Sequence, residues 1–418
     1  MNKKFIPLAF AASLIFAACS DDQTDVVNNG PEITFRTSVS RAQNIDKTNL
    51  KEFKVWAFAN VVSSENPPFI DGLVAKQDPT DTDVFKFDHS IFWPSDIATL
   101  NFWAISPAEG LTVTHSSTTM SLENYEPAAK PEDQLDVITA FEQVTRGGNS
   151  GTSVGLTFNH ILSQILVSAK AGDVVGVEES RSVKVKGAWL VNIGTNATAS
   201  RSSESGANEN KINWSACGST SAVYGSYFTN EITLGKNALP FFDFKKDNVS
   251  AYKSNLLLIP QQLTAWDKTE TGKGAYILLL CRVEATHKGA LHNGASDPMV
   301  QPGTGNHTHQ LFPHDGAATS FDENAYGYAC VPIGTNWETG KIYRYILDIC
   351  GKNSGAGIYP PVTLPTLPGL PDTPDIIIIP TPNPDKVGEP VLDYPITFKV
   401  TVNDWTDPED WNSGVDLQ

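Results

Sequence analysis

Five histidines, His287, His292, His307, His309 and His314, fall in one stretch that is otherwise rich in Gly, Asn and Asp. Imidazole is a common ligand for divalent transition metals. In an extended chain His307 and His309 would share a face, and His314 or Asp315 would add a further donor. A stretch of this composition reads more simply as a solvated loop whose histidines act independently, and that is the expectation. Gly151-Thr152-Ser153-Val154-Gly155 matches the G-x-S-x-G pattern of an activated serine, with His160 nearby. That pattern works only where a buried strand precedes the serine and a helix follows it. Here a Gly-rich segment precedes and a strand-like run follows, so no enzyme is expected, and no cofactor or resident metal is implied.

Cysteine chemistry begins at Cys19. Lys3 and Lys4 precede an apolar run from Phe5 to Ala18 that is too short to span a bilayer comfortably and has the charge, core length and small-residue end of a secretory signal. Phe16-Ala17-Ala18-Cys19 resembles a bacterial lipobox, which implies cleavage after Ala18 and attachment of diacylglycerol to the Cys19 thiol. An ordinary cleaved signal with an incidental cysteine is the alternative. Ser20-Asp21-Asp22 resembles the acidic tag that directs some lipoproteins to the outer face of the outer membrane. Of the other cysteines, Cys217, Cys281, Cys330 and Cys350, none shows zinc-ligand spacing. An exported chain could pair them in any of three ways, but Cys281, Cys330 and Cys350 lie in or beside apolar runs, where buried thiols fit as well.

These residues need a scaffold. The chain has 418 residues and a hydrophobic fraction of 40%, enough for two domains with real cores. Its formal charge of −17 argues against nucleic acid and anionic lipid as partners, because phosphate would repel it before contact. Short aromatic and β-branched runs, separated by Pro, Gly, Asn and Asp, recur at Phe53–Phe58, Leu100–Ile105, Asp136–Ala140 and Val154–Phe158. That is the rhythm of an all-β sandwich. Ile161 to Ala169 fits a helix or a strand, and Thr195 to Asn210 reads as a loop near the domain boundary. The later runs Asn255–Pro260, Ala275–Leu280, Tyr326–Val331 and Ile342–Ile349 are nearly continuous in apolar residues, as in strands buried on both faces.

Two amphipathic strands stand at the ends. Ile33 to Val39 alternates, with Ile33, Phe35 and Val39 on one face, and then breaks into a polar segment containing Arg41. Ile396 to Trp405 places Ile396, Phe398, Val400 and Val402 in strict alternation. Between the last core run and the terminal strand, residues 359–395 form a proline-dense strap, expected to run extended without joining a sheet and to let the last strand reach away from its own domain.

In order and spacing, several segments together resemble the fimbrillins, the Bacteroidetes-type lipoprotein pilins. They are the lipobox at Cys19, Ile33 to Arg41, Phe53 to Phe58, Trp93-Pro94 with Leu100 to Pro107, Phe158 to Ile165, Leu257 to Gln262, Gly340 to Tyr345 and Ile396 to Trp405. The resemblance implies two transthyretin-like β-sandwich domains in tandem. It further implies a lipid anchor in the outer membrane, an arginine-specific protease that cuts after the first strand, and other fimbrial subunits as partners through strand exchange. The divisions are then a signal peptide at 1–18, a lipidated tether with a removable first strand at 19–41, an N-terminal sandwich at 42–200, and a C-terminal sandwich at 201–418 that includes the strap and the terminal strand 396–405. On these terms Arg41 is the processing site, Ile33, Phe35 and Val39 form the removable strand, and Ile396, Phe398, Val400 and Val402 form the donor. The nine tryptophans leave a second expectation, an uncut surface lipoprotein that binds a glycan or a host surface through exposed indoles.

Overall fold

The computed structural model of the chain describes residues 30–39, 49–60, 66–146, 153–171, 179–203, 212–242, 255–269, 273–288, 298–302, 305–314, 320–351, 353–405 and 415–417. Ala18, Cys19 and Arg41 lie outside these residues. The regular structure among the described residues is almost entirely β-strand, with short 3-10 turns, and no helix among them is long and apolar enough to cross a membrane.

The first half of the chain supplies β1 (Thr34–Val39), β2 (Glu52–Ala59), β3 (Ile70–Gln77), β4 (Val84–Lys86), β5 (Thr99–Ser106), β6 (Val113–His115), β7 (Thr119–Tyr125), β8 (Ile138–Thr145) and β9 (Ser153–His160). Seven of these close on themselves in the order β1-β4-β3-β2-β5-β8-β9. Alternation explains the closure: Phe53, Val55, Leu100, Phe102, Ile138, Ala140, Leu156 and Phe158 all point into one core. Trp56, Phe58, Trp103 and Ile105 point outward from the same strands and are also buried. Their cover is a small sheet that continues into later chain.

That chain consists of β10 (Ser163–Ala171), β11 (Glu179–Gly194), β12 (Ala197–Ser202), β13 (Asn213–Trp214), β14 (Ser221–Thr233), β15 (Leu239–Pro240), β16 (Leu256–Leu258), β17 (Tyr276–Lys288), β18 (Val300–Pro302), β19 (Asn306–Phe312), β20 (Ala325–Pro332), β21 (Lys341–Ile349), β22 (Ile377–Ile379), β23 (Thr397–Asp404) and β24 (Val415–Leu417). The segment after Ile161 is therefore a strand. Residues 197–202, expected as loop, are also a strand, since Ala197 and Ala199 pack on the barrel's outer indoles while β12 pairs with β7 and β13.

Two larger sheets face each other across a shared core. One has the order β15-β10-β21-β23-β24, with β16 also on β10; the other runs β14-β11-β17-β19-β18, with β20 on β17. Val167, Tyr345, Leu347 and Val400 from the first meet Val185, Leu190, Leu279 and Val331 from the second. The change from barrel strands to these sheets falls between β9 and β10, ahead of residue 200.

The strap does not hang free. Leu364, Leu367, Leu370, Ile376 and Ile378 lie over Trp189, Tyr276, Leu278 and Leu280 on the outer face of the second sheet. Ile377–Ile379 ladders in parallel with Ala325–Gly327, which corrects the expectation that the strap joins no sheet. No proline interrupts the run from Asp375 to Ile379, so its N–H groups remain available to a sheet. The Trp189 indole N–H donates to the Pro368 carbonyl at 2.9 Å, and the Lys186 ammonium contacts Asp375 at 2.9 Å. Docked in this way, the strap returns the chain to β23 beside β21.

Candidate functional site

β1 is the element on which the barrel closes. Its backbone pairs in parallel with β9 over six positions, from Thr34 with Ser153 to Val39 with Phe158. On the other side it meets β4 antiparallel, with Phe35 opposite Phe85. β9 depends heavily on this contact, because its ladder to β8 has only two register pairs, at Asn159 and His160. Side chains reinforce the register: the Thr34 and Ser153 hydroxyls lie 2.6 Å apart, and the Ser38 hydroxyl donates to that of Thr157 at 3.1 Å.

The expected face of β1 is the buried face. Ile33 and Phe35 are buried, Val39 packs half-buried against the same cluster, and Thr37, which sequence reasoning passed over, fills the buried position between them. Phe35 is fully enclosed and makes edge contacts with Phe53 at 5.7 Å, Phe87 at 5.4 Å and Phe102 at 5.9 Å between ring centroids. Such T-shaped pairs add to burial because the positive ring edge meets a negative ring face. Removing β1 would open an aromatic pocket and strip β9 of partners at residues 153–158, and both are costly in water.

β23 is bound differently. Eight register pairs join it to β21, from Thr397 with Asp348 to Asp404 with Lys341, and three join it to β24. Ile396 and Val400 are buried and Val402 is half-buried, yet Phe398 remains 38% exposed and touches Tyr345 only from one side, at 6.1 Å between centroids. The four apolar residues expected on one face are thus unequally used in the strand's own sheet. Trp405 closes β23 by stacking on His160, whose Nδ1 lies 3.0 Å from Asp136 Oδ1.

The other chemistry-bearing residues find structural places. Ser153 and His160 stand at opposite ends of one strand, ~23 Å apart at the usual rise per residue, so they cannot act together. Cys217, Cys281, Cys330 and Cys350 are free thiols. Cys281 faces the core between the sheets whereas Cys330 faces the strap, which keeps that pair on opposite sides of one sheet. Burial raises the thiols of Cys281 and Cys330 far above the ordinary range and that of Cys350 to about 11. Seven tryptophans are buried and Trp214 is half-buried, while Trp411 lies outside the described residues. Among the described residues there is accordingly no exposed strip of indoles of the kind a glycan platform needs. His287, His307 and His309 are on strands β17 and β19, which corrects the expectation of a loop; His314 is exposed beyond β19, and His292 lies outside the described residues.

A closed β-barrel beside a two-sheet sandwich, with an amphipathic strand before the first and after the last of these core strands, defines an all-β protein. A family model described as fimbrillin-like matches residues 40–356. The chain belongs to this fimbrillin-like family, which is a structural family and not an enzyme family. The match starts after β1 and stops before the strap. Among solved structures, a fimbrial protein from Bacteroides vulgatus aligns over 89% of this chain and 99% of its own at 14% identity, with a TM-score of 0.50. A proposed cell adhesion protein from Bacteroides uniformis aligns over 90% of this chain and 98% of its own at 12% identity, with a TM-score of 0.39. None of the curated proteins matches the chain.

Proposed function

We propose that the chain is a structural subunit of a cell-surface fimbrium, made of two transthyretin-like sandwich domains and serving adhesion. It is exported as an outer-membrane lipoprotein through Cys19, trimmed after Arg41, and joined to other fimbrial subunits when the terminal strand of one subunit enters the slot that β1 vacates in the next.

One observation carries this reading: the terminal strand repeats the plug. Ile33-Thr34-Phe35-Arg36-Thr37-Ser38-Val39 and Ile396-Thr397-Phe398-Lys399-Val400-Thr401-Val402 agree at Ile, Thr, Phe and Val, and the remaining positions pair Arg with Lys, Thr with Val and Ser with Thr. Laid in the same register, Ile396 takes the place of Ile33, Phe398 that of the enclosed Phe35, and Val402 that of Val39. Val400 then falls where Thr37 is buried, placing a methyl where the Thr37 hydroxyl lies buried without a hydrogen bond. A replacement strand of this kind satisfies the orphaned backbone of β9 and refills the aromatic pocket at once. Each apolar side chain fully buried contributes roughly 1.5–3 kcal/mol, and the ladder bonds fix the register.

The amino terminus of the protein recovered from the cell surface tests processing: Ala42 is the expected residue, and an acylated Cys19 would mean that the strand stays in place. Recombinant protein starting at Ala42 is expected to form ladders or to capture a peptide spanning Ile396–Gln418. A stable monomer indifferent to that peptide would rule out strand exchange for this chain.

A further inference from the structure

The two end strands differ at one inward position. Aligned over residues 33–39 and 396–402, the inward residues are Ile, Phe, Thr and Val in β1 and Ile, Phe, Val and Val in the terminal strand. The residues between them keep their chemistry: Thr34 and Thr397 are identical, Arg36 and Lys399 are both cations, and Ser38 and Thr401 both carry a hydroxyl. Arg36 lies 3.6 Å from Asp81 with both side chains more than half exposed, so replacing Arg by Lys there changes little. Backbone bonds are open to either strand. The Ile33 N–H donates to the Ile91 carbonyl at 2.7 Å, and Ile396 brings the same donor. Thr37 is the remaining difference. It is 8% exposed and stands in register with Leu156 on β9, and its hydroxyl is buried without a hydrogen-bond partner.

We propose that Thr37 is the residue that makes β1 displaceable. A hydroxyl that leaves water and finds no partner costs free energy that a methyl in the same place does not. Thr and Val share one branched shape, so the slot that encloses the first has room for the second. With backbone bonding equal and three of the four inward side chains identical, the balance between the two strands falls on this position. The terminal strand fills the same volume and leaves no orphaned hydroxyl. While β1 is covalently part of the chain, its high effective concentration at the slot outweighs that deficit and the barrel stays closed. Once the chain is cut after Arg41, the two strands compete on affinity alone, and the one carrying Val400 wins. The role of Thr37 rests on the strand exchange proposed above and supplies what drives it forward.

The test begins with the intact full chain, in which Thr37→Val should raise the urea midpoint above that of wild type. Both chains are then nicked after Arg41 with an arginine-specific protease used sparingly and offered a fluorescent 396–418 peptide, with departure of the cut strand followed by mass. A peptide carrying Val400→Thr should bind nicked wild type about tenfold more weakly than the unaltered peptide, and nicked Thr37→Val should yield its strand to the unaltered peptide about tenfold less readily. A Thr37→Val midpoint at or below that of wild type overturns the proposal. The peptide comparison needs no variant chain to fold, and equal binding of the two peptides also overturns it. If neither peptide displaces β1 from either chain, strand exchange fails and this proposal with it. If both displace it equally well, exchange stands and the role of Thr37 alone is refuted.

Discussion

The Trp405 indole lies flat on the His160 imidazole, with ring centroids 4.3 Å apart and planes 11° from parallel. His160 ends the last barrel strand and Trp405 follows β23, so one stacked pair joins the barrel to the terminal strand. Both belong to a buried junction in which Trp103 and Ile105 from the barrel meet Leu166 on β10 and Ile342 on β21, the sheet that also holds β23.

Trp405→Ala should therefore act on both partners. Emptying a fully enclosed indole site costs about 3–5 kcal/mol, read as a lower urea midpoint. Amide exchange should quicken in Thr397–Asp404 and in the facing Lys341–Asp348. Trp405→Phe keeps most of the packing and should lose distinctly less. Equal losses in the two variants would mean that the stack contributes nothing.

Asp375 fastens the strap and should report on acid. The Tyr227 hydroxyl first, and the Lys186 ammonium second, hold its carboxyl below the ordinary value of 3.8. A depressed folded value means that the unfolded chain takes up the proton first, so the contribution is complete above about pH 4 and is lost as pH falls through the folded value. The stability gap between wild type and Asp375→Asn should be constant near neutrality and shrink on acidification. Exchange across Leu364–Ile379 should rise in the variant, because Lys186, only 5% exposed in its side chain, loses its carboxylate partner. A gap that widens in acid would contradict the assignment.

The two halves of the chain were legible to different degrees, and the differences have physical causes. Phe53–Phe58 and Leu100–Ile105 were readable as strands because local alternation and aromatic content suffice. The inward face of β1 was readable for the same reason. Sheet membership was not: β10 follows β9 after two residues yet pairs in parallel with β21, a contact nearly two hundred residues away that no local pattern encodes. Ala197 and Ala199 were lost among serines and threonines because small residues pack on large indoles without any hydrophobic signature of their own. The histidines misled by composition, since Gly and Asn nearby suggested a loop while the cross-strand register that brings the rings together is non-local. The equivalence of Phe35 and Phe398 was in the sequence, but only their unequal burial gives it meaning.

The thiols should resist chemistry. Burial disfavours thiolate at Cys281, Cys330 and Cys350, and the thiolate is the reactive form. In native protein at neutral pH, a disulfide reagent should modify at most the half-buried Cys217, and the other three only after denaturant is added. Mass analysis without reductant should find no bridge among the four. Oxidation that links Cys281 to Cys330 would require the sheet to open, since their side chains emerge on opposite faces.

Phe398 separates folding from assembly more cleanly than any other residue. In its own sheet it is 38% exposed, whereas the equivalent Phe35 is fully enclosed by three aromatic rings. Truncating the two should therefore give opposite patterns. Phe35→Ala removes a core ring and should cost about 3–5 kcal/mol of stability in the intact chain. Phe398→Ala removes a side chain that is still partly in water, and should cost about 1 kcal/mol or less. In the exchange assay the order reverses: an Ile396–Gln418 peptide carrying Phe398→Ala should fail to bind protein that begins at Ala42, because the slot's aromatic pocket stays empty while the ladder alone must hold the strand. Lys399→Ala, which takes the place of the exposed Arg36, should bind nearly as well as the unaltered peptide. If Phe398→Ala and Lys399→Ala peptides bind equally, the terminal strand does not enter the Phe35 pocket, and the likeness between the two end strands has another cause.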